Sequence, residues 1–138
     1  MIQCLLIIAT LLSIGGCATR PVSNAEAVNV PMERIVDSRY LQNAPNTGQV
    51  TVKRDSGFGG SACSSRIFVN AKPVADLRTS EKVVLYLPEG EYVISAWPNS
   101  ICGGGMSEVR ATVKSGGELN FRVGYGSNGD FSINATAF

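Results

Sequence analysis

Residues 82–97 read KVVLYLPEGEYVISAW and carry the strongest local structural signal in the chain. The two apolar runs are rich in β-branched and aromatic residues, which favour strands. Between them, Pro88 presets the φ angle of a turn and Gly90 supplies a left-handed position. We therefore predict two strands, at 82–87 and 91–97, that form an antiparallel hairpin.

Short alternating segments surround this hairpin on both sides, from Gly48 to the last residue. Their apolar and polar residues alternate, and glycine, proline, asparagine and serine separate them, as is typical of antiparallel sheets with one buried face. About seven or eight such strands are best buried as a two-sheet sandwich. We predict an all-β domain over residues 48–138, a small antiparallel sandwich of immunoglobulin- or transthyretin-like type. Its other strands are expected at 50–53, 66–70, 74–77, 108–114, 119–123 and 131–136.

Three glycine-rich loops interrupt the predicted strands, at 55–63, 99–105 and 124–129. If every connection reverses the direction of the chain, all three loops lie at the same end of the sandwich. We call this end the glycine-rich rim. Glycine lets a backbone approach a partner closely, and exposed aromatic side chains flank many binding sites. The candidate partner-binding residues of the rim are Phe58, Gly59, Gly60, Trp97, Gly103, Gly104, Gly105 and Tyr125.

The beginning of the chain has a different character from the predicted domain. An apolar run from Ile2 to Ile14 is too short for a transmembrane helix, and Gly15, Gly16 and Cys17 follow it. This arrangement resembles the lipobox of bacterial lipoproteins. It implies that residues 1–16 are a signal peptide and that Cys17 becomes the acylated first residue of the mature chain. The alternatives are an ordinary secretory signal cut nearby and an uncleaved anchor.

Residues 17–47 are predicted to be the lipidated N-terminus and a flexible linker, because they contain three prolines and little apolar periodicity outside Met32 to Leu41, where one short helical turn or edge segment is expected. Ala18 stands where an aspartate would resemble the inner-membrane retention signal of enteric bacteria. The lipobox resemblance therefore implies an anchor in the outer membrane, on its periplasmic face. We expect the linker to join the domain at the end opposite the glycine-rich rim, so that the rim faces away from the membrane.

The four cysteines are divided by position. Cys4 leaves with the signal peptide and Cys17 takes the lipid, so Cys63 and Cys102 remain for an oxidising periplasm, where paired thiols are usual. A disulfide needs Cα atoms roughly 4.4–6.8 Å apart, so this bond requires the first two loops to be adjacent, which agrees with their predicted common end. We predict a Cys63–Cys102 disulfide; the alternative is two unpaired, buried thiols.

Charge and composition limit the possible functions. Twelve basic and eleven acidic residues give no electrostatic argument for nucleic-acid binding. Histidine, the usual general base near neutral pH and the commonest metal ligand, is absent from the sequence. We therefore predict no enzymatic activity, no metal and no cofactor.

Three stretches, 52–56, 66–77 and 87–92, resemble a known pattern. The pattern is that of small bacterial envelope domains of the PEGA type and of related lipoprotein β-sandwich families, over roughly residues 50–125. Ala71 stands where that pattern has a hairpin glycine. The resemblance implies a β-sandwich that serves as a non-catalytic module.

Three functions fit these observations. The leading prediction is a non-enzymatic, membrane-anchored envelope lipoprotein that acts as an accessory or protein-interaction module, bound to the bilayer through acylated Cys17. The second is an inhibitor or immunity protein of a cell-wall hydrolase, with Gly103–Gly105 entering the cleft. The third is a glycan-binding domain that uses Trp97 or Tyr125.

Overall fold

The structure is a computed structural model that describes residues 18–99 and 102–138. The predicted signal peptide and Cys17 lie outside the described residues. The described part forms nine strands and one short 3-10 turn, Met32–Arg34. The strands are β1 (Val28–Asn29), β2 (Thr47–Arg54), β3 (Ser65–Val69), β4 (Lys72–Leu77), β5 (Glu81–Pro88), β6 (Gly90–Pro98), β7 (Ser107–Val113), β8 (Glu118–Tyr125) and β9 (Phe131–Ala135).

The strands form two sheets, which confirms the predicted all-β sandwich. One sheet has the order β1-β5-β2-β8-β9 and the other has the order β4-β3-β6-β7. Most neighbouring strands are antiparallel, but β2 pairs with β8 in parallel and β1 pairs with β5 in parallel. Alternate side chains of both sheets point inward and form one apolar core. Its fully buried members include Val50, Val52, Ile67, Leu85, Leu87, Ile94 and Val123.

The predicted hairpin at residues 82–97 is wrong, because β5 and β6 lie in different sheets. β5 pairs with β2, with Val83 opposite Val52, whereas β6 pairs with β3 and β7. The turn at Pro88–Gly90 reverses the chain as predicted, but it carries the chain across the core. Turn residues determine the reversal alone; the partner of each strand depends on which face it buries.

The segment before β2 is not the predicted flexible linker. Residues 18–46 lie along one side of the sandwich, where β1 pairs with β5 and Ile35 bridges Ala75 of β4. Val22, Ala27 and Val30 are buried there. The sequence lacks periodicity in this region because the segment buries single side chains at irregular intervals instead of one continuous face. It covers the β5 and β4 edges of both sheets, which would otherwise offer unpaired backbone groups.

The same segment joins β2 at the end opposite the glycine-rich rim, as expected, but its first described residues lie at the rim itself. Thr19 N–H donates to Tyr125 O at 2.9 Å. Arg20 and Ser56 exchange two backbone hydrogen bonds, both 2.8 Å long. The first described residues are therefore fixed beside the loop that follows β2.

Candidate functional site

The three glycine-rich loops lie at one end of the sandwich, as predicted. Cys63 and Cys102 form a disulfide with a Cα–Cα distance of 6.1 Å, which joins the first loop to the second. The first loop also contacts β8, since Gly60 packs against the ring of Tyr125 with a φ of 64°. Gly104 of the second loop lies against Phe131, which begins β9. The rim is thus a set of loops that are tied to one another.

Arg54, at the end of β2, holds the first loop from beneath. Its guanidinium is buried and donates to the carbonyl oxygens of Gly60 and Cys63, at 2.7 Å each, and to that of Leu77 at 3.3 Å. Its Nε has no hydrogen-bond partner among the described residues. Burial lowers the pKa of Arg54, although an arginine stays charged near neutral pH. Arg54 is therefore a structural cation that organises the loop carbonyls.

Asp55 forms a second buried network, next to the first described residues. Arg122 of β8 donates through Nε to Asp55 Oδ1 at 3.0 Å and through Nη2 to Oδ2. Thr19 Oγ1 donates to Asp55 Oδ2 at 2.7 Å and accepts from Tyr125 N–H at 2.9 Å. The hydrogen bond to Asp55 raises the pKa of Arg122. Gly124 makes room for this arrangement, because a Cβ there would collide with Asp55 and Thr19.

No sequence signal identified Thr19 or Arg122 as parts of this network. Thr19 lies in the segment predicted to be flexible, and Arg122 looks like one outward-facing charge in an alternating strand. Arg122 reaches Asp55 because β8 pairs with β2 in parallel, and the residue patterns did not specify this pairing.

The two aromatic residues predicted to flank the rim have different positions. Tyr125 is only 8% exposed and packs against Phe131, with ring centroids 5.2 Å apart. Burial raises the pKa of Tyr125, while the charge of Arg54 lowers it in part. The prediction of Tyr125 as an accessible contact residue is therefore wrong, because its ring fills the space beneath Gly60. Gly60 packs against the same ring and therefore contributes to an internal contact.

Trp97 is half exposed and lies near the end of β6, on the outer face of the four-stranded sheet. It borders a shallow depression of about 320 Å³, which we call the Trp97 patch. Asp76 of β4 supports the patch. Nε and Nη2 of Arg66, on β3, donate to the two carboxylate oxygens of Asp76 at 2.8 Å each. The Arg66 hydrogen bond lowers the pKa of Asp76, which burial opposes. The patch is lined by Arg66, Phe68, Trp97, Pro98 and Asn99.

The remaining rim residues are accessible. Phe58 is 96% exposed at the first loop, and Gly103, Gly104 and Gly105 are exposed in the second. Gly59 is half-buried beside Phe58. The structure thus separates the eight predicted contact residues into exposed loop tips, an internal Gly60–Tyr125 contact and a lateral Trp97 patch.

Another depression, of about 440 Å³, lies away from both the rim and the Trp97 patch. It separates the N-terminal segment from the outer face of β2 and β5, and Met32, Ile35 and Tyr86 contribute to its walls. Among residues 18–99 and 102–138, no group of three or more histidine, cysteine or acidic side chains is placed to hold a metal ion. No helix of this described part is long and apolar enough to cross a membrane.

No protein-family model matches the chain, and a search of curated proteins finds no similar sequence. The fold and the site geometry are therefore the basis for a functional proposal.

Proposed function

We propose that this chain is a lipid-anchored, non-enzymatic module of the bacterial envelope that binds a protein partner. In this proposal, acylated Cys17 holds it at the periplasmic face of the outer membrane, and the Trp97 patch is the contact surface. The PEGA-type resemblance supports the same role and remains a prediction.

The observation that supports the anchor is the docking of Thr19 close to the predicted cleavage site. Thr19 comes two residues after Cys17 and is already buried and hydrogen-bonded to Asp55 and Tyr125. A mature chain that begins at Cys17 would keep every contact described above. Cleavage before Cys17 would therefore remove none of the contacts that hold Thr19.

The chemistry of the Trp97 patch supports a protein partner. Tryptophan and arginine are enriched at protein interfaces and often contribute most of the binding energy. Here the Trp97 ring is half exposed beside Arg66, whose guanidinium is oriented by Asp76. Asn99 Nδ2 donates to Asp76 Oδ1 at 3.2 Å and to Ser64 Oγ at 2.8 Å, so the polar edge of the Trp97 patch is also held in place. Such preorganised side chains lose little conformational entropy on binding.

The anchor is tested by intact mass of protein taken from membranes, before and after reduction. We expect a chain that begins at Cys17, carries acyl groups and gains two hydrogen atoms when the Cys63–Cys102 disulfide is reduced. An unacylated chain would contradict the anchor.

The partner is tested by photo-crosslinking in membranes from a benzoylphenylalanine at position 97. Val93 is the matched control position, because it is exposed on the same strand and the same face. We expect one discrete protein adduct from position 97 that is absent from position 93. Excess purified protein should suppress this adduct, whereas the Trp97→Ala protein should not. Identical adducts from both positions, or none, would contradict the proposal.

A glycan is the second candidate ligand for the same patch, since an exposed indole beside fixed polar groups also suits a sugar ring. Tyr125, the other aromatic residue considered for this function, is buried. Crosslinking of position 97 to peptidoglycan fragments, with binding lost in Trp97→Ala, would favour the glycan over a protein.

A further inference from the structure

We infer that the glycine-rich rim faces the bilayer to which Cys17 is anchored and that Phe58 contacts the lipid. This inference rests on the proposed anchor. It reverses the orientation expected from the sequence, in which the rim faces away from the membrane.

The first argument is the distance between the anchor and the rim. A Cβ added to Gly57 would lie 3.4 Å from Thr19 Cα and 3.8 Å from Ala18 O. One peptide bond joins Ala18 to Cys17, so their Cα atoms are about 3.8 Å apart. A free linker of some 30 residues would instead have an end-to-end distance of about 30 Å. Because residues 18–20 are fixed to the rim, the acylated residue and the first glycine-rich loop must share one end of the molecule.

The second argument is the surface that this end presents. Phe58 is 96% exposed, the most exposed of the large apolar side chains in the described residues, and it follows Gly57 directly. Met106 in the second loop is 45% exposed. The sequences 56–64 and 99–106 contain no charged residue. Phenylalanine is among the apolar residues with which peripheral proteins enter the boundary between headgroups and acyl chains, so this loop chemistry suits a membrane surface.

The exposed charges around these loops are balanced in sign and lie outside the loops themselves. Arg20 is exposed on the bridge to Ser56, and Arg78 is exposed in the turn between β4 and β5 at the same end. Both cations can approach anionic lipid headgroups. Two exposed acidic residues also lie near this end: Asp130, in the loop between β8 and β9, and Glu108, the second residue of β7. The opposite end instead exposes Lys72, Glu89, Lys114 and Glu118, which would stay in water.

The orientation also determines which surfaces can meet a protein. The first loop and residues 102–106 of the second would be occupied by the bilayer, while the outer face of the four-stranded sheet would stand beside the membrane. The Trp97 patch would then remain accessible from the side.

The test measures quenching of a single tryptophan by brominated phospholipids. The full-length acylated protein is reconstituted into phosphatidylethanolamine and phosphatidylglycerol vesicles, with and without bromine on the acyl chains near the headgroup. The reporter is Phe58→Trp combined with Trp97→Phe. The matched control is Glu89→Trp combined with Trp97→Phe, because Glu89 is exposed in the turn at the opposite end. Intact mass of each preparation establishes whether Cys17 is acylated.

We expect the brominated lipid to quench the Phe58→Trp reporter by at least half and to leave the Glu89→Trp control unchanged. Absent or equal quenching in acylated protein would overturn the orientation while leaving the anchor intact. An unacylated Cys17 would overturn both. A Phe58→Trp signal that changes in native membranes but not in lipid vesicles would place a protein at the rim and overturn the lipid contact.

Discussion

A single residue, Arg54, organises the loop end of the sandwich. Most buried charges face an opposite charge, but the guanidinium of Arg54 is directed at three main-chain carbonyl groups. Two of these carbonyls belong to the glycine-rich loop that also holds Cys63. The loop has few side chains of its own to bury, so the arginine takes the place of a local apolar core.

Replacing Arg54 with methionine should lower the free energy of unfolding by about 3 kcal/mol. The apolar stem is kept, but the carbonyl groups of Gly60, Cys63 and Leu77 lose their donor in a buried site. Urea unfolding of the oxidised protein measures the change. Arg20→Met is the control, since Arg20 is exposed at the same end and should shift stability by no more than about 0.5 kcal/mol. Equal effects of the two substitutions would refute a structural role for Arg54.

Replacing Ala71 with glycine should stabilise the protein by up to about 1 kcal/mol. Ala71 and Asn70 form the turn between β3 and β4 with φ angles of 65° and 46°. A left-handed conformation costs an alanine about 1–2 kcal/mol, part of which the greater freedom of glycine in the unfolded chain offsets. The midpoint of urea unfolding should rise for Ala71→Gly and fall for Ala62→Gly, an exposed alanine in the first glycine-rich loop. A lower midpoint for Ala71→Gly would show that the turn is not strained.

Stability should fall as the pH is lowered below about 4, in part through Asp76. The hydrogen bonds from Arg66 lower the pKa of Asp76 in the folded protein, so the folded state binds its proton less readily than the unfolded chain. This contribution is complete above the unfolded pKa and is lost as the pH falls through the folded pKa. Unfolding of Asp76→Asn should therefore depend less steeply on acid pH than unfolding of the wild type. The exposed Asp130→Asn serves as control, and identical acid profiles for wild type and Asp76→Asn would contradict the argument.

At the scale of strands and loops, the sequence predicted local structure better than pairing. Alternation located the strands of the sandwich because one face of each is buried, and the turn at Pro88–Gly90 reverses the chain as expected. The partners of β5 and β6 could not be predicted, since a reversal within a sheet and a crossing between sheets need the same turn residues. The disulfide could be predicted from the number of cysteines and the common end of the loops, because neither depends on the order of the strands in the sheets.

The N-terminal segment shows a different limit of sequence patterns. A spacer and a docked segment of irregular contacts share the same composition, because neither has a repeating apolar face. Thr19 docks through its hydroxyl group and through the space left by Gly124, and neither feature produces a periodic signal.

Gly124→Ala should release residues 18–20 from the rim. The new methyl group would occupy the space in which Thr19 Oγ1 meets the carboxylate of Asp55. Hydrogen exchange of the Ser56 amide reports the release, because this amide donates to Arg20 O at 2.8 Å. Exchange should accelerate at Ser56 and remain slow at Val52 in the core. Gly126→Ala is the matched control, since its nearest atom, Asp130 O, would lie 3.9 Å from the new Cβ. Unchanged protection of Ser56 in Gly124→Ala would contradict docking through Thr19.

At the scale of the whole molecule, the position of residues 18–20 links the fold to the proposed location. A flexible linker would leave the orientation of the domain free, so any loop could face the membrane or a distant partner. A docked segment ties one end of the sandwich to residue 17, which we propose to be acylated. The choice between a bilayer contact and a partner contact at the rim therefore depends on whether residues 18–46 belong to the folded body.

A chain that begins at Gly48 should be less stable than one that begins at Ala18. The shorter chain loses Val22, Ala27 and Val30, which are buried in the longer one. Burial of a valine contributes roughly 1.5–3 kcal/mol, so the loss should reach about 3 kcal/mol or more. The truncation also uncovers the edges of β5 and β4, which can then pair with other copies of the chain.

Urea unfolding and size-exclusion chromatography at several concentrations measure the two effects of this truncation. We expect a lower unfolding midpoint and concentration-dependent association for residues 48–138, and a monomer for residues 18–138. If both chains unfold at the same midpoint and remain monomeric, residues 18–47 act as a linker, the domain can stand away from the bilayer, and the rim becomes available to a partner. If the shorter chain is destabilised, residues 18–47 belong to the folded body, and Cys17, acylated as proposed, would hold the rim toward the membrane.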